Sequence, residues 1–212
     1  FSFAGQFESY LFVTKENLGD NIKKVWCSAF SERVYQYRKN NNLNQKFGIA
    51  GIIQEMINAD VAGVAFGVNP ANGDRQAKLI SAVYGLGEGL VSGELDSDNF
   101  IVRGNAINSQ IADKTHQVVI DSDNKGGTKK IAVEEKKRKL PSLSEGQIRN
   151  IADLLHVCYQ AYGKPQDMEF AISNNKIYLL QSRPVTNLNK IADSNGDYIL
   201  WDNSNIIESY PG

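Results

Sequence analysis

The chain has 212 residues, of which 42% are hydrophobic and 22% charged, with a formal net charge of −1. These are the fractions of a soluble globular protein with one substantial core or two lobes. The near-neutral balance gives no basic footprint for nucleic acid, and no apolar run approaches the roughly 20 residues of a membrane span. Cys27 and Cys158 both lie in helical patterns and read as buried free thiols of a reducing compartment, which points to the cytoplasm. Because the chain begins at Phe1 rather than methionine and ends at Gly212, it reads as a piece of a longer protein.

In chain order, Asp20 to Arg38 predicts one helix. Ile22, Val25, Trp26, Ala29, Phe30, Arg33 and Tyr37 recur at helical spacing, with Asp20 as N-cap. Phe47 to Met56 and Val61 to Asn69 predict strands, and Pro70 to Gly73 a hairpin turn. Lys78 to Val83 predicts a third strand, running into a glycine-rich stretch from Gly85 to Gly93 and then a strand from Asn99 to Arg103. Weaker strands are expected at Gln117 to Ile120 and Lys130 to Val133, around a turn at Gly126 and Gly127. The mixed run from Lys129 to Lys139, with Glu134 and Glu135 inside it, reads as a solvated strand or loop. Ser144 to Tyr162 is the clearest helix, capped by Ser144, stopped by Gly163, and apolar along Ile148, Ile151, Ala152, Leu155 and Tyr159. Grouped strands with flanking helices predict an α+β fold with a mostly antiparallel sheet. Beyond Thr186 the chain is polar as far as Tyr198 to Trp201, which looks like the start of another segment.

The most informative stretch is Asp167 to Arg183. Both arms alternate as half-buried strands, and a three-residue loop of Asn174, Asn175 and Lys176 would pair Phe170 with Leu180 and Ile172 with Tyr178. The opposite face then gathers Glu169 across from Gln181 and Asp167 across from Arg183. A carboxylate beside an amide carbonyl offers hard oxygen ligands to magnesium, and a nearby arginine can fork onto a phosphate. The other reading is a solvated sheet face with one cross-strand ion pair.

Gly85, Gly87, Gly89 and Gly93 do not have the spacing of a dinucleotide fingerprint, and there is no P-loop lysine. Glu88 in this stretch is read two ways, as a second carboxylate near a metal or as an exposed acid in a turn. Gln54, Glu55 and Met56 end a predicted strand where free backbone groups could read an adenine edge; the plainer reading is a strand meeting a loop. His116, in a polar loop, and His156, within a helix, lack the neighbours of a catalytic pair.

Several stretches, in this order, resemble the ATP-binding domain of the pyruvate phosphate dikinase and phosphoenolpyruvate synthase family, an ATP-grasp fold. They are Ser2 to Gln6, Ile53 to Met56 with Ala62 to Phe66, Gly85 to Glu88 with Leu90 to Gly93, Gly163 to Glu169, and Leu180 to Pro184. Leu-Gln-x-Arg-Pro following Asp-x-Glu is the specific element, and rifampicin phosphotransferases share the domain. The resemblance implies that Glu169 and Gln181 bind magnesium with the ATP phosphates and that Arg183 contacts those phosphates. It implies further that Gln54 lies in an adenine-binding hinge, and that Gly5 and Ser9 belong to a loop over the phosphates, Ser9 standing where threonine is often found. Residues 1–189 would be a partial ATP-grasp domain and 190–212 the start of a linker or next segment. The family's amino-terminal lysine and arginine would precede Phe1, and its phosphohistidine domain would follow Gly212. The expected activity of the parent is phosphoryl transfer from Mg-ATP to that histidine and then to pyruvate, the 212-residue piece binding ATP weakly without turnover. An ATP-grasp ligase, a domain that only binds nucleotide and, more remotely, a nicotinamide oxidoreductase are the alternatives.

Overall fold

The computed structural model describes residues 5–43, 46–121 and 127–185. The described residues divide into two compact units, residues 57–119 with 129–185, and residues 5–43 and 46–56 with 120–121 and 127–128. The expected turn residue Gly126 and the run Tyr198 to Trp201 fall outside the described residues.

The larger unit is built on a six-stranded sheet. Its strands are β1 (Val61–Phe66), β2 (Lys78–Tyr84), β3 (Asp98–Arg103), β4 (Ala106–Gln110), β7 (Gln166–Ser173) and β8 (Lys176–Pro184). They lie in the order β4-β3-β2-β1-β7-β8, and every neighbouring pair is antiparallel. The α+β expectation therefore stands. A separate two-stranded sheet pairs β5 (His116–Ile120) with β6 (Thr128–Ala132), so His116 opens a strand rather than sitting in a loop.

One face of the large sheet is covered by α4 (Glu145–Tyr162). Ser144 caps this helix reciprocally with Gln147, and Gly163 closes it in the left-handed region at φ 67°. Ile148, Ile151, Ala152, Leu155 and Cys158 are its buried residues, so Cys158 takes the core position expected for the half-exposed Tyr159. They join Val61, Ala65, Ile80, Ala82, Phe100, Val102, Met168, Phe170 and Ile172 in one core. Gly63 makes the central packing possible: a Cβ there would lie 2.1 Å from the Ser81 carbonyl oxygen and 2.6 Å from Cζ of Phe170.

On the other face, Val64 and Val83 pack with Leu90 of α3 (Glu88–Val91), with Phe66 and Leu95 beside them. The glycine-rich stretch thus becomes a short helix on the sheet. Gly85 enters it at φ +75°, where a Cβ would meet the Val118 carbonyl oxygen at 2.2 Å; that same oxygen accepts from Leu86 N at 2.8 Å.

A fully buried ion pair lies at the edge of the core. Lys114 Nζ donates to Asp98 Oδ1 at 2.6 Å, their side chains being 1% and 0% exposed. Asp98 also accepts from Ala112 N at 2.9 Å and Ser142 N at 2.7 Å, and Lys114 Nζ donates to the Ala112 carbonyl at 3.1 Å. The Tyr84 ring lies 5.4 Å from Lys114 Nζ, and burial followed by the Asp98 charge pushes its phenol pKa upward.

The smaller unit corrects three expectations. The single helix from Asp20 to Arg38 is two, α1 (Leu18–Ser28) and α2 (Glu32–Asn40). Ser28 turns its hydroxyl back onto the Val25 carbonyl at 2.6 Å, and Ser31 is extended and caps α2. Two serines competing locally for backbone groups explain the break. Phe47 to Met56 forms no strand; Ile52 is 89% exposed, and alternation without a neighbouring strand to bond is not enough. Cys27 is exposed, not buried. In the larger unit, the polar edge strand β4 (AINSQ) was not expected at all.

Candidate functional site

β7 and β8 are joined by a two-residue turn, Asn174 and Asn175, both at positive φ (50° and 61°). This is the backbone a tight hairpin requires and asparagine tolerates. The expected three-residue loop is therefore wrong, and next to the turn Ile172 pairs with Ile177 and Phe170 with Leu179. A β-bulge then shifts the register between Glu169 and Phe170, after which Glu169 faces Gln181 and Asp167 faces Arg183. Without it the tight turn would set Leu180 opposite Glu169 and Ser182 opposite Asp167, turning Gln181 and Arg183 to the α4 side. The bulge restores the polar face that the wrong loop length had also produced.

That face is polar at its β7–β8 end. Arg183 donates to Asp167 Oδ2 from Nε at 2.7 Å and from Nη2 at 2.6 Å. Gln181 Nε2 lies 3.5 Å from Glu169 Oε1, the outer limit of a hydrogen bond. The two oxygen-bearing groups are thus within joint reach of one small cation, provided the amide presents its oxygen. A half-turn of the Gln181 amide exchanges its nitrogen and oxygen without changing its shape. Asp167 is 8% exposed, and its neighbour on β1 is Phe66. Burial raises its carboxyl pKa above the ordinary value, and the Arg183 charge and hydrogen bond offset this only in part.

Glu88 begins α3, whose Leu90 packs on Val64, the β1 residue directly across from Glu169. Its helix therefore lies on the sheet face that carries Glu169 and Gln181. Among the described residues, however, no three acidic, histidine or cysteine side chains group as a metal cluster.

The remaining predicted residues belong to the smaller unit. Gly5 is at φ 65°, and Ser9 is exposed on the segment that follows. Gln54, Glu55 and Met56 are exposed and outside any strand. The segment bearing Gly5 and Ser9 is tied down by groups the sequence reading did not single out as anchors. Ser28 Oγ accepts from Glu8 N at 3.1 Å, and Arg33 Nη2 donates to Glu8 Oε1 at 3.0 Å and to the Gln6 carbonyl at 3.2 Å. No local sequence signal marks those long-range ties. Asp98 was also missed, yet it carried one: it falls in phase with Phe100 and Val102 on the apolar side of β3.

Residues 1–198 match the family model described as pyruvate phosphate dikinase, AMP/ATP-binding domain. The chain belongs to this family. An uncharacterized phosphotransferase, YvkC, of Bacillus subtilis is 35% identical over 95% of this chain and 25% of its own length. The rifampicin phosphotransferase of Bacillus cereus is 35% identical over 92% of this chain and 22% of its own length. A probable phosphoenolpyruvate synthase of Methanocaldococcus jannaschii is 36% identical over 89% and 16%. The chain thus spans a quarter or less of the length of these curated relatives. Among the described residues of this ATP-binding domain, no helix is long and apolar enough to cross a membrane.

Proposed function

We propose that this domain is the ATP-grasp part of a cytoplasmic phosphotransferase that moves a phosphoryl group from Mg-ATP to a histidine on a separate domain, and then to pyruvate. The observation that carries the reading is the common face of β7 and β8, where Glu169, Gln181 and Arg183 stand together in a family of ATP-binding domains. The donor set fits magnesium, which prefers a carboxylate and a few neutral oxygens while keeping part of its water shell. Bound magnesium supplies charge neutralisation at the phosphates. Glu169 and Gln181 hold and orient that centre, with Glu88 as a further carboxylate reaching it. Arg183 stabilises charge on the transferred phosphoryl group, the main catalytic contribution in a reaction governed by positioning and electrostatics. Gly5 and Ser9 cover the phosphates, while Gln54, Glu55 and Met56 read the adenine through backbone groups. Residues 190–212 would be the start of a linker or of the next segment.

Calorimetric titration with Mg-ATP tests the site. Glu169→Ala is expected to weaken binding by about tenfold or more, the scale of one charge-assisted contact. Unchanged binding would remove Glu169 from the site. In the intact parent, ATP labelled in both its β- and γ-phosphates should leave an acid-labile label on histidine, and an acyl phosphate instead would favour a ligase. A second reading takes an antibiotic as the final acceptor. It is supported by the rifampicin phosphotransferase relative, whose 35% identity stands beside 36% for the phosphoenolpyruvate synthase.

A further inference from the structure

We infer that Asp167 is a positioning residue for Arg183, its carboxylate fixing which edge of the guanidinium is presented to phosphate; this rests on the phosphate role proposed for Arg183. The two residues are direct cross-strand partners, and one carboxylate oxygen takes both contacts, from Nε at 2.7 Å and Nη2 at 2.6 Å. Those two nitrogens form the side-on edge of the guanidinium. Engaging it aims the end-on edge, with Nη1 and the second Nη2 hydrogen, away from Asp167. Holding the guanidinium in one orientation reduces the rotamer freedom lost when phosphate binds.

The setting of Asp167 argues for orientation over stabilisation. It is 8% exposed, next to Phe66 of β1, and Phe66 packs against the apolar cluster under α3. Taking this carboxylate largely out of water costs the folded chain free energy that the arginine must offset. Buried ion pairs of this kind are often no more stabilising than apolar side chains in their place. Glu169 and Gln181 lie two residues along the same strands on the same face. The charge is thus kept where the direction of Arg183 bears on the site.

Two measurements on the 212-residue chain test the inference. In NMR spectra, the Arg183 Nε–H signal, assigned by its absence in Arg183→Ala, should be resolved and slow to exchange. Asp167→Asn should broaden it or erase it. Calorimetry with Mg-ATP, carried to millimolar concentrations, should show Asp167→Asn and Arg183→Ala each losing about tenfold in affinity, and the double variant losing no more than Arg183→Ala alone. Adenosine affinity should be equal in all four proteins. An Nε–H signal unmoved by Asp167→Asn, additive losses, or a parallel loss of adenosine affinity would overturn the positioning role. No Mg-ATP binding by the unsubstituted chain, or an affinity unmoved by Arg183→Ala, would instead overturn the phosphate reading beneath it.

Discussion

In the sheet-bearing unit, Phe100, Phe170, Ile151 and Met168 are shut away between the strands and α4, whereas in the helical unit Phe30 stands 83% exposed beside a break between two short helices. The first region is held by apolar burial, each large side chain contributing about 1.5–3 kcal/mol. Among the described residues of the second, Ser28, Ala29, Val34 and Asp121 are the buried ones. Its ties are largely polar: the Arg33–Glu8 pair, with side chains 36% and 50% exposed, and the Arg38 guanidinium stacked 3.8 Å above Phe47. Exposed pairs contribute little and weaken with salt. The residues proposed to hold metal and phosphate lie in the region held by apolar burial, and Gly5, Ser9, Gln54, Glu55 and Met56 lie in the region held by polar ties.

The contrast is sharpest at the buried ion pair. Lys114→Met should leave Asp98 charged and buried without its cation, costing about 3–5 kcal/mol. Urea unfolding would measure it, and a loss below about 1 kcal/mol would mean the pair is not integral to the core. Gly63→Ala comes next, because its Cβ would strike the Ser81 carbonyl and the Phe170 ring. Overpacking here is expected to cost about 1–3 kcal/mol, with a lowered urea midpoint at an unchanged slope. Ser144→Ala removes one half of the α4 capping box and should cost about 1 kcal/mol. In the helical unit, Glu8→Gln should cost less than about 1 kcal/mol of global stability. Its effect should appear instead as faster hydrogen exchange in α2, together with a weaker dependence of that exchange on salt. A global loss as large as that of Lys114→Met would abolish the distinction between the regions.

The smallest effect concerns Asp167. Its carboxyl holds a proton more tightly in the folded chain than the ordinary value of 3.8 would allow. The folded state is therefore relatively favoured while the group stays protonated. Stability should fall as pH rises from the ordinary aspartate range through the raised value, and remain lowered above it. Asp167→Asn should lose this component. Parallel urea midpoints for the two proteins across that pH range would contradict the assignment.

How legible each region was in the sequence follows from the same physics. Helix α4 carries its own start, stop and apolar stripe between Ser144 and Gly163, so local residues suffice to define it. Pairing of Asp167 with Arg183 and of Glu169 with Gln181 was also legible, although the loop length assumed for it was wrong. Strand β4 was not, because an exposed edge strand of Ala106, Ile107, Asn108, Ser109 and Gln110 has no apolar face to alternate. The stretch from Phe47 to Met56 misled in the opposite sense, having apolar residues but no strand to bond. Of the candidate site, the residues on the hairpin could be reasoned from alternation alone. Gly5 and Ser9 came only from resemblance, and Gln54, Glu55 and Met56 from the end of an expected strand that does not form.

The bulge in the β7–β8 hairpin also bears on how such a chain can change its length over time. Eleven residues separate Glu169 from Gln181, shared between two strand ends, a tight turn and one extra residue. Deleting Leu180 while inserting a residue beside Asn175 would remove the bulge and widen the turn, yet keep the same count and the same four-residue polar face. Deleting Leu180 alone would remove the bulge and leave Gln181 opposite Glu169 across the tight turn, whereas an insertion at the tip leaves these pairs in place only where the turn widens to take it. The hairpin thus works as a counter of residues, in which an even number between Glu169 and Gln181 fits the tight turn alone and an odd number needs either the bulge or a wider turn.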